Sequence, residues 1–359
     1  MSTQIFANER QIDLGGLPVL YYFDSGEQEK PLAIFLTGGG FLARISYGHP
    51  GADSRDFLAH WLRAEGYGFL APSYPCDHAV FDRFDPELGL GDWANSIGDL
   101  VDMVLAGQTA NRPIVLLGWS MGGKLPFCLT RVLRSRGRNV HSFVSISATP
   151  PFPSFSGRPR GVERIHENGL WDIAHPPGQE PPRDERWLSE LDAISRVAGR
   201  TVISGDSLAT HYRVNTPAKL WGPELDPIFA NYQQNDLNES LREAATFSYS
   251  DYPICTAIVP THQGDFRHAL LDQSFWTFAS AQSLLHGRLA QRLSYADCGN
   301  AWEALQELFT SLGRRLCRKK SGGHIAFLGE MPARETVRYI TELVREVDVL
   351  EESLSSLGY

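Results

Sequence analysis

The chain has 359 residues, 42% of them hydrophobic, and a formal net charge of -9 at pH 7. That length allows one large α/β domain or two smaller ones, and the apolar share is ample for a core. The acidic balance, with no basic stripe, argues against a nucleic-acid partner.

In chain order, Gln4 to Phe6 and Leu17 to Phe23 read as early strands joined through Gly15-Gly16. The apolar run from Pro31 to Leu36 reads as a buried strand that ends in Thr37-Gly38-Gly39-Gly40-Phe41. Asp53 to Glu65 has helical spacing, with Asp53 or Ser54 as N-cap and Gly66 as the stop. Tyr67 to Ala71 reads as a strand, and Asp92 to Ala106 as a helix with Trp93, Ile97, Leu100, Val101 and Val104 on its apolar face. A strand at Pro113 to Leu117, a helix from Gly123 to Arg136 and a strand from Val140 to Ala148 follow. This alternation implies right-handed crossovers and a mostly parallel sheet covered by helices on both faces.

At Pro150 the alternation stops. From there to about Asp251 the sequence is rich in Pro, Gly, Trp and charge, which predicts a lid inserted at 151–250 into a core formed by 1–150 and 251–359. Within it, Asp184 to Val197 and Asp236 to Ala245 have helical spacing. Its aromatics (Phe152, Phe155, Trp171, Trp187, Tyr212, Trp221, Phe229, Tyr232) either pack the lid onto the core or line an acyl or aromatic pocket. A buried strand returns at Pro253 to Val259. Helices over Phe266 to Leu293 and Asn300 to Leu312, a short strand near Leu316 and a closing helix over Pro332 to Leu354 complete the pattern. The densest basic cluster, Arg314-Arg315 with Arg318-Lys319-Lys320, reads as a solvated helix end or edge.

The five cysteines (Cys76, Cys128, Cys255, Cys298, Cys317) show no metal-like spacing and are odd in number. They suit small apolar residues in a reducing compartment. The opening residues lack a basic segment followed by an apolar one, and no uninterrupted apolar run has membrane-spanning length. The expectation is a cytoplasmic protein with no membrane partner; its oligomeric state, homo-oligomer included, stays open.

Chemistry concentrates in Gly118-Trp119-Ser120-Met121-Gly122, which lies between a predicted strand and a predicted helix. That is the context of a nucleophile elbow: the turn strains the serine, and side chains two positions either side would clash, so glycine stands at both. Ser120 is presented at the strand's carboxyl end, and the N–H of Met121 is placed to face an oxyanion. A serine hydroxyl needs a base, and the base an orienting carboxylate. His324, after Gly322-Gly323 near the C-terminus, is the best base candidate by position. For the acid, Asp265, at the end of the clearest late strand, leads Asp297, and Asp206 is a third candidate inside the lid. The glycines after Thr37 supply the further oxyanion donors, Gly39 and Gly40. A phosphate cradle would need a P-loop Lys-Ser/Thr or a GxGxxG before a helix, and neither is present.

With these residues in place, the chain resembles the α/β-hydrolase superfamily over Pro31 to Ala148 and, more loosely, from Pro253 onward. Gly118 to Gly122 looks like that family's elbow, Gly38-Gly39-Gly40 like its oxyanion loop and Gly323-His324-Ile325-Ala326-Phe327 like its terminal histidine loop, while Thr37 stands where many members have His. The resemblance implies an α/β-hydrolase fold with an inserted lid, Ser120 as nucleophile and His324 as base; with Asp265, or else Asp297, as the acid they form the expected catalytic triad. The expected substrate is a small-molecule acyl compound cleaved as an ester or thioester, and the lack of HExxH or a compact His/Asp cluster in the sequence implies no cofactor or metal. Acyl transfer by the same triad, and a binding protein without chemistry, are the alternatives.

Overall fold

The computed structural model describes residues 5–107, 111–152, 165–172, 183–221, 241–290 and 300–358. Its frame is an eight-stranded sheet. The strands are β1 (Glu9–Leu14), β2 (Leu17–Asp24), β3 (Leu32–Leu36), β4 (Gly68–Ser73), β5 (Ile114–Ser120), β6 (Val140–Ala148), β9 (Ile254–Pro260) and β10 (Cys317–Lys320). Their spatial order is β1-β2-β4-β3-β5-β6-β9-β10. β1 pairs antiparallel with β2, and β2 with β4; all later pairings are parallel. The inner strands β3, β5 and β9 are near-continuous apolar runs because helices cover both faces, and β6 is buried at every residue but His141 although it carries three serines. Burying each Val, Leu or Ile there contributes about 1.5–3 kcal/mol.

The helices are α1 (Leu58–Ala64), α2 (Leu90–Val104), α3 (Pro126–Ser135), α4 (Arg183–Ala198), α5 (Phe266–Leu284), α6 (Asn300–Arg315) and α7 (Glu330–Ser356). α1 packs on α7, and α2 on α3. Leu305, Leu308 and Leu312 of α6 meet Leu350 and Leu354 of α7 in a smaller apolar cluster beside the main core. A two-stranded antiparallel unit, β7 (Leu170–Trp171) with β8 (Thr216–Pro217), is inserted between β6 and β9.

Several boundaries differ from the sequence reading. Among the described residues the first strand is Glu9–Leu14, and Ile5 and Phe6 of the expected Gln4 to Phe6 strand lie outside it; Gln4 is outside the described residues. The alternating polar pattern of β1 suits an edge strand, whereas Phe6 is buried and its N–H donates to the Glu9 carboxylate. The helix expected from Asp53 breaks into a 3-10 turn (Ser54–Asp56) and α1, because Phe57 adopts extended backbone (φ -126°, ψ 152°). Asp53 still caps the turn through Arg55 N–H. The helix after β9 ends its regular course at Leu284 and continues as a π-turn (Leu285–Leu289). The basic cluster is not simply solvated. Arg318 and Lys320 pair with Glu342 and Glu335 and tie the edge strand β10 to α7, with Lys320 buried, and Arg315 at the end of α6 pairs with Glu346.

Within the insertion, α4 forms as expected, and Trp171, Tyr212, Trp221 and Trp187 are buried against the core. Phe152 packs on Phe275. Phe155, Phe229, Tyr232 and most of the expected helix from Asp236 lie outside the described residues, as do Cys298 and Asp297. Cys76, Cys128, Cys255 and Cys317 are free thiols. Among the described residues no helix is long and apolar enough to cross a membrane.

Candidate active site

The turn after β5 carries Ser120 at φ 52° and ψ -123°. That region is sparsely allowed for a residue with a Cβ, so the surrounding structure must hold it there. What holds it is close packing on both sides. A Cβ at Gly122 would lie 2.0 Å from the Leu36 carbonyl oxygen, and one at Gly118 would lie 2.6 Å from the Phe143 ring. A Cβ at Gly38 would lie 2.9 Å from Ser120 Cβ. The glycines therefore let β3, the glycine loop and the elbow approach one another closely. The Ser120 carbonyl accepts the Thr149 N–H at 2.7 Å, which fixes the elbow to the end of β6. A 3-10 turn, Met121–Lys124, starts directly behind the serine and leads into α3.

Asp265 ends a short turn after β9 at the start of α5. Its carboxylate does not cap that helix; it lies 3.0 Å from Nδ1 of His324. Both side chains are mostly buried. Burial by itself would raise the Asp265 carboxyl, but the facing His324 and His268 rings and the hydrogen bond from His324 outweigh it and hold the group well below its ordinary 3.8. The lowered pKa favours the ionised carboxylate, which faces Nδ1 of the imidazole and leaves Nε2 on the other side of the ring.

The histidine loop is held at several points. Gly322, at φ 115°, accepts the N–H groups of Thr261 and His262 through its carbonyl, which ties the loop to the segment carrying Asp265. The Trp119 indole N–H donates to the His324 carbonyl at 2.8 Å, so the residue before Ser120 grips the backbone of the histidine. The Trp119 ring is itself wedged edge-on against Phe41 and Phe327. From the insertion, the Glu190 carboxylate of α4 accepts the N–H groups of His324 at 3.2 Å and Ile325 at 3.0 Å. Burial pushes the Glu190 carboxyl up, opposed in part by those N–H groups and by His324. Ser120, His324, Asp265 and Glu190 line one open cleft of about 2060 Å³, together with Trp187 and Trp221.

Two other sequence candidates, Gly40 and Asp206, come out differently. Gly40 N–H donates to Thr216 Oγ1 of β8 at 2.7 Å, so in this arrangement it is not presented to the cleft. The same stretch of the insertion pairs with the glycine loop again: Val214 N–H donates to the Gly40 carbonyl, and Phe41 bridges Arg213. Tyr74 adds a hydrogen bond to the Gly38 carbonyl and another to Thr216. Gly39 is buried in this loop, and Met121 is buried behind the elbow. Asp206 is exposed on a one-turn helix and does not line the cleft. Trp119, Glu190, Thr216 and Tyr74 went unnoticed in the sequence. Trp119 occupies the variable position of the motif, and the other three carry no local signature.

Asp265, His268 and His324 place potential metal-ligand atoms within 4.8 Å of one another. Those atoms already have partners. His268 Nδ1 lies 3.0 Å from Asp272, its Nε2 lies 2.9 Å from Arg267 Nη2, and His324 Nδ1 faces Asp265. A cation would have to displace the Arg267 guanidinium, so the cluster reads as a hydrogen-bond network.

The Thioesterase domain family matches residues 87–205, a stretch that includes the elbow and α4 but neither Asp265 nor His324. No curated protein matches the sequence. Similar solved structures include a thermophilic esterase from Thermogutta terrifontis (16% identity, 95% of this chain and 99% of that one covered, TM-score 0.47). They also include the thioesterase domain from the curacin biosynthetic pathway (13%, 93% and 98%, 0.42) and an epoxide hydrolase from Vigna radiata (14%, 94% and 98%, 0.44). The parallel sheet with its antiparallel start, the strained elbow between β5 and α3 and the inserted two-stranded unit together give the chain an α/β-hydrolase architecture.

Proposed function

We propose that this protein is a serine hydrolase that cleaves an ester or thioester of a small to medium apolar acyl or aromatic substrate through an acyl-enzyme on Ser120. Ser120 Oγ attacks the carbonyl carbon as its proton passes to His324 Nε2. Asp265 holds the imidazole through Nδ1. The N–H groups of Met121 and Gly39 face the oxyanion, and Gly40 supports the loop through Thr216. The tetrahedral adduct collapses, the bond to the alcohol or thiol breaks, and the leaving group takes the proton from His324. Water then attacks the acyl carbon, gives its proton to His324 and frees the acid, and the proton returns to Ser120 Oγ. No cofactor or metal takes part, and residues 151–250 act as the lid over the site.

The observation that carries this reading is the convergence on one cleft of a strained serine, an imidazole and a buried ionised carboxylate from three strand ends. Ser120→Ala is expected to abolish turnover of an activated ester, and with it labelling by a fluorophosphonate, while leaving the fold intact. Full activity in that variant would end the proposal.

A further inference from the structure

Glu190 sits on α4, in the insertion, yet its closest polar contacts are to the histidine loop of the core. Its two carboxylate oxygens divide the work: Oε2 accepts the N–H of His324 and Oε1 that of Ile325. Two successive N–H groups turned toward one anion form a small anion-binding concavity. Gly323 completes it. A Cβ there would lie 2.8 Å from Glu190 Oε1 and 3.0 Å from Oε2, so glycine at 323 is what admits the carboxylate. The backbone of Gly323 does not otherwise demand glycine, since its φ is outside the left-handed region. The His324 residue is therefore held from three directions, by Trp119 at its carbonyl, by Asp265 at its ring and by Glu190 at its N–H. Two of these clamps belong to the core, and the third arrives only when α4 is docked.

We propose that Glu190 is a positioning residue for His324, so that docking of the inserted helix α4 completes the assembly of the Ser120–His324–Asp265 set and does not merely cover the cleft. The inference rests on the proposed hydrolase reading and adds a residue to it. Without the carboxylate, the His324 and Ile325 N–H groups lose their acceptor and the loop is free to shift. A displacement of about 1 Å at a catalytic group costs up to about 100-fold in rate.

The test is steady-state kinetics on a small activated ester with Glu190→Ala, Glu190→Gln, Gly323→Ala and the double variant Glu190→Ala/Gly323→Ala, beside wild type and Ser120→Ala. Glu190→Ala is expected to lower kcat by about 10- to 100-fold with KM within about twofold. Glu190→Gln, which keeps one acceptor oxygen, is expected to fall between wild type and Glu190→Ala. Gly323→Ala is expected to lower kcat in the wild-type background and to cost little more once residue 190 is Ala, since the collision partner is gone. Unchanged kcat in Glu190→Ala, a change confined to KM, or additive losses in the double variant would overturn the proposal. Should Glu190→Ala fail to fold, Glu190→Gln and Gly323→Ala decide: unchanged kcat in both overturns the inference. Activity surviving in Ser120→Ala would instead overturn the hydrolase reading, so the two failures are separable.

Discussion

At the scale of single residues, the candidate site is organised around one imidazole whose backbone and ring are gripped separately. Asp265 controls the ring, and its ionised state follows from the groups that face it. Replacing it with Asn keeps the shape but presents an amide that cannot favour the required tautomer. Asp265→Asn is expected to lower kcat by about four orders of magnitude with little change in KM, measured by hydrolysis of an activated ester. Near-wild-type kcat would mean that another acid serves the imidazole, and Asp297 would be the next to test. His268 and Asp272 stand behind this pair, fully buried and bonded to each other. Burial raises the Asp272 carboxyl, and His268 opposes that shift. Their place is to wall the Asp265–His324 pair from solvent on the α5 side, where the His268 and His324 rings lie 5.3 Å apart.

At the scale of elements, the strand–turn–helix from β5 to α3 is held by backbone proximity. Gly122 lies so close to β3 that a methyl group would overlap the Leu36 carbonyl, and neither backbone can retreat without disturbing a central strand pairing. Gly122→Ala is expected to destabilise the protein by about 3 kcal/mol, the upper end of ordinary overpacking, and to lower Ser120 reactivity as well. Urea unfolding and fluorophosphonate labelling rates check the two effects; wild-type values in both would mean that the elbow tolerates a Cβ. β10 illustrates a different solution. It is an edge strand, and its Arg318 and Lys320 pair with Glu342 and Glu335 of α7, so the exposed edge is both short and charged, which blunts edge-to-edge association.

At the scale of the whole molecule, the insertion is stitched to the core at separate points. Glu190 meets the histidine loop, Arg200 makes a two-pronged bond to the buried Asp56, and residues 212–216 pair with the glycine loop. A further contact stacks His211 of the insertion on His49 of the core, with ring centroids 4.8 Å apart, and the Tyr212 hydroxyl lies 2.6 Å from His49 Nδ1. Burial, then the neighbouring His211 and Arg44, lowers the His49 pKa from 6.5, and burial with Arg44 lowers that of His211. An imidazole with a lowered pKa in the folded state takes up its proton first in the unfolded chain. These two groups therefore leave stability unaffected above about pH 6.5 and reduce it as pH falls below that value. Asp265 acts lower on the scale, since its folded pKa lies below 3.8: its stabilisation is present above that pH and is lost as pH falls through and below it. The melting temperature is expected to decline from pH 7 to pH 5, and to decline less in His211→Phe. Equal slopes in the two proteins would show that this ring pair does not govern the acid response.

The sequence by itself determined what depends on neighbours along the chain. Apolar runs broken by helical spacing specified a parallel sheet with helices on both faces, and β6 falls on Val140–Ala148 as the pattern predicts. The elbow was legible because its strain forces glycine at fixed offsets from the serine. Helix α4 was legible inside the insertion for the same local reason, whereas the β7–β8 unit, two residues per strand, is too short to leave a period. Tertiary structure alone decided the partnerships. Asp265 lies at the His324 ring, 59 residues away in sequence, whereas its rival Asp297 is outside the described residues. Gly40 stood as an oxyanion donor until Thr216, 176 residues on, took its N–H. Glu190 reaches the histidine loop across 134 residues. Such pairings are chosen by which strand ends and which inserted helix meet in space, and a one-dimensional pattern of apolar and polar residues carries no record of that meeting.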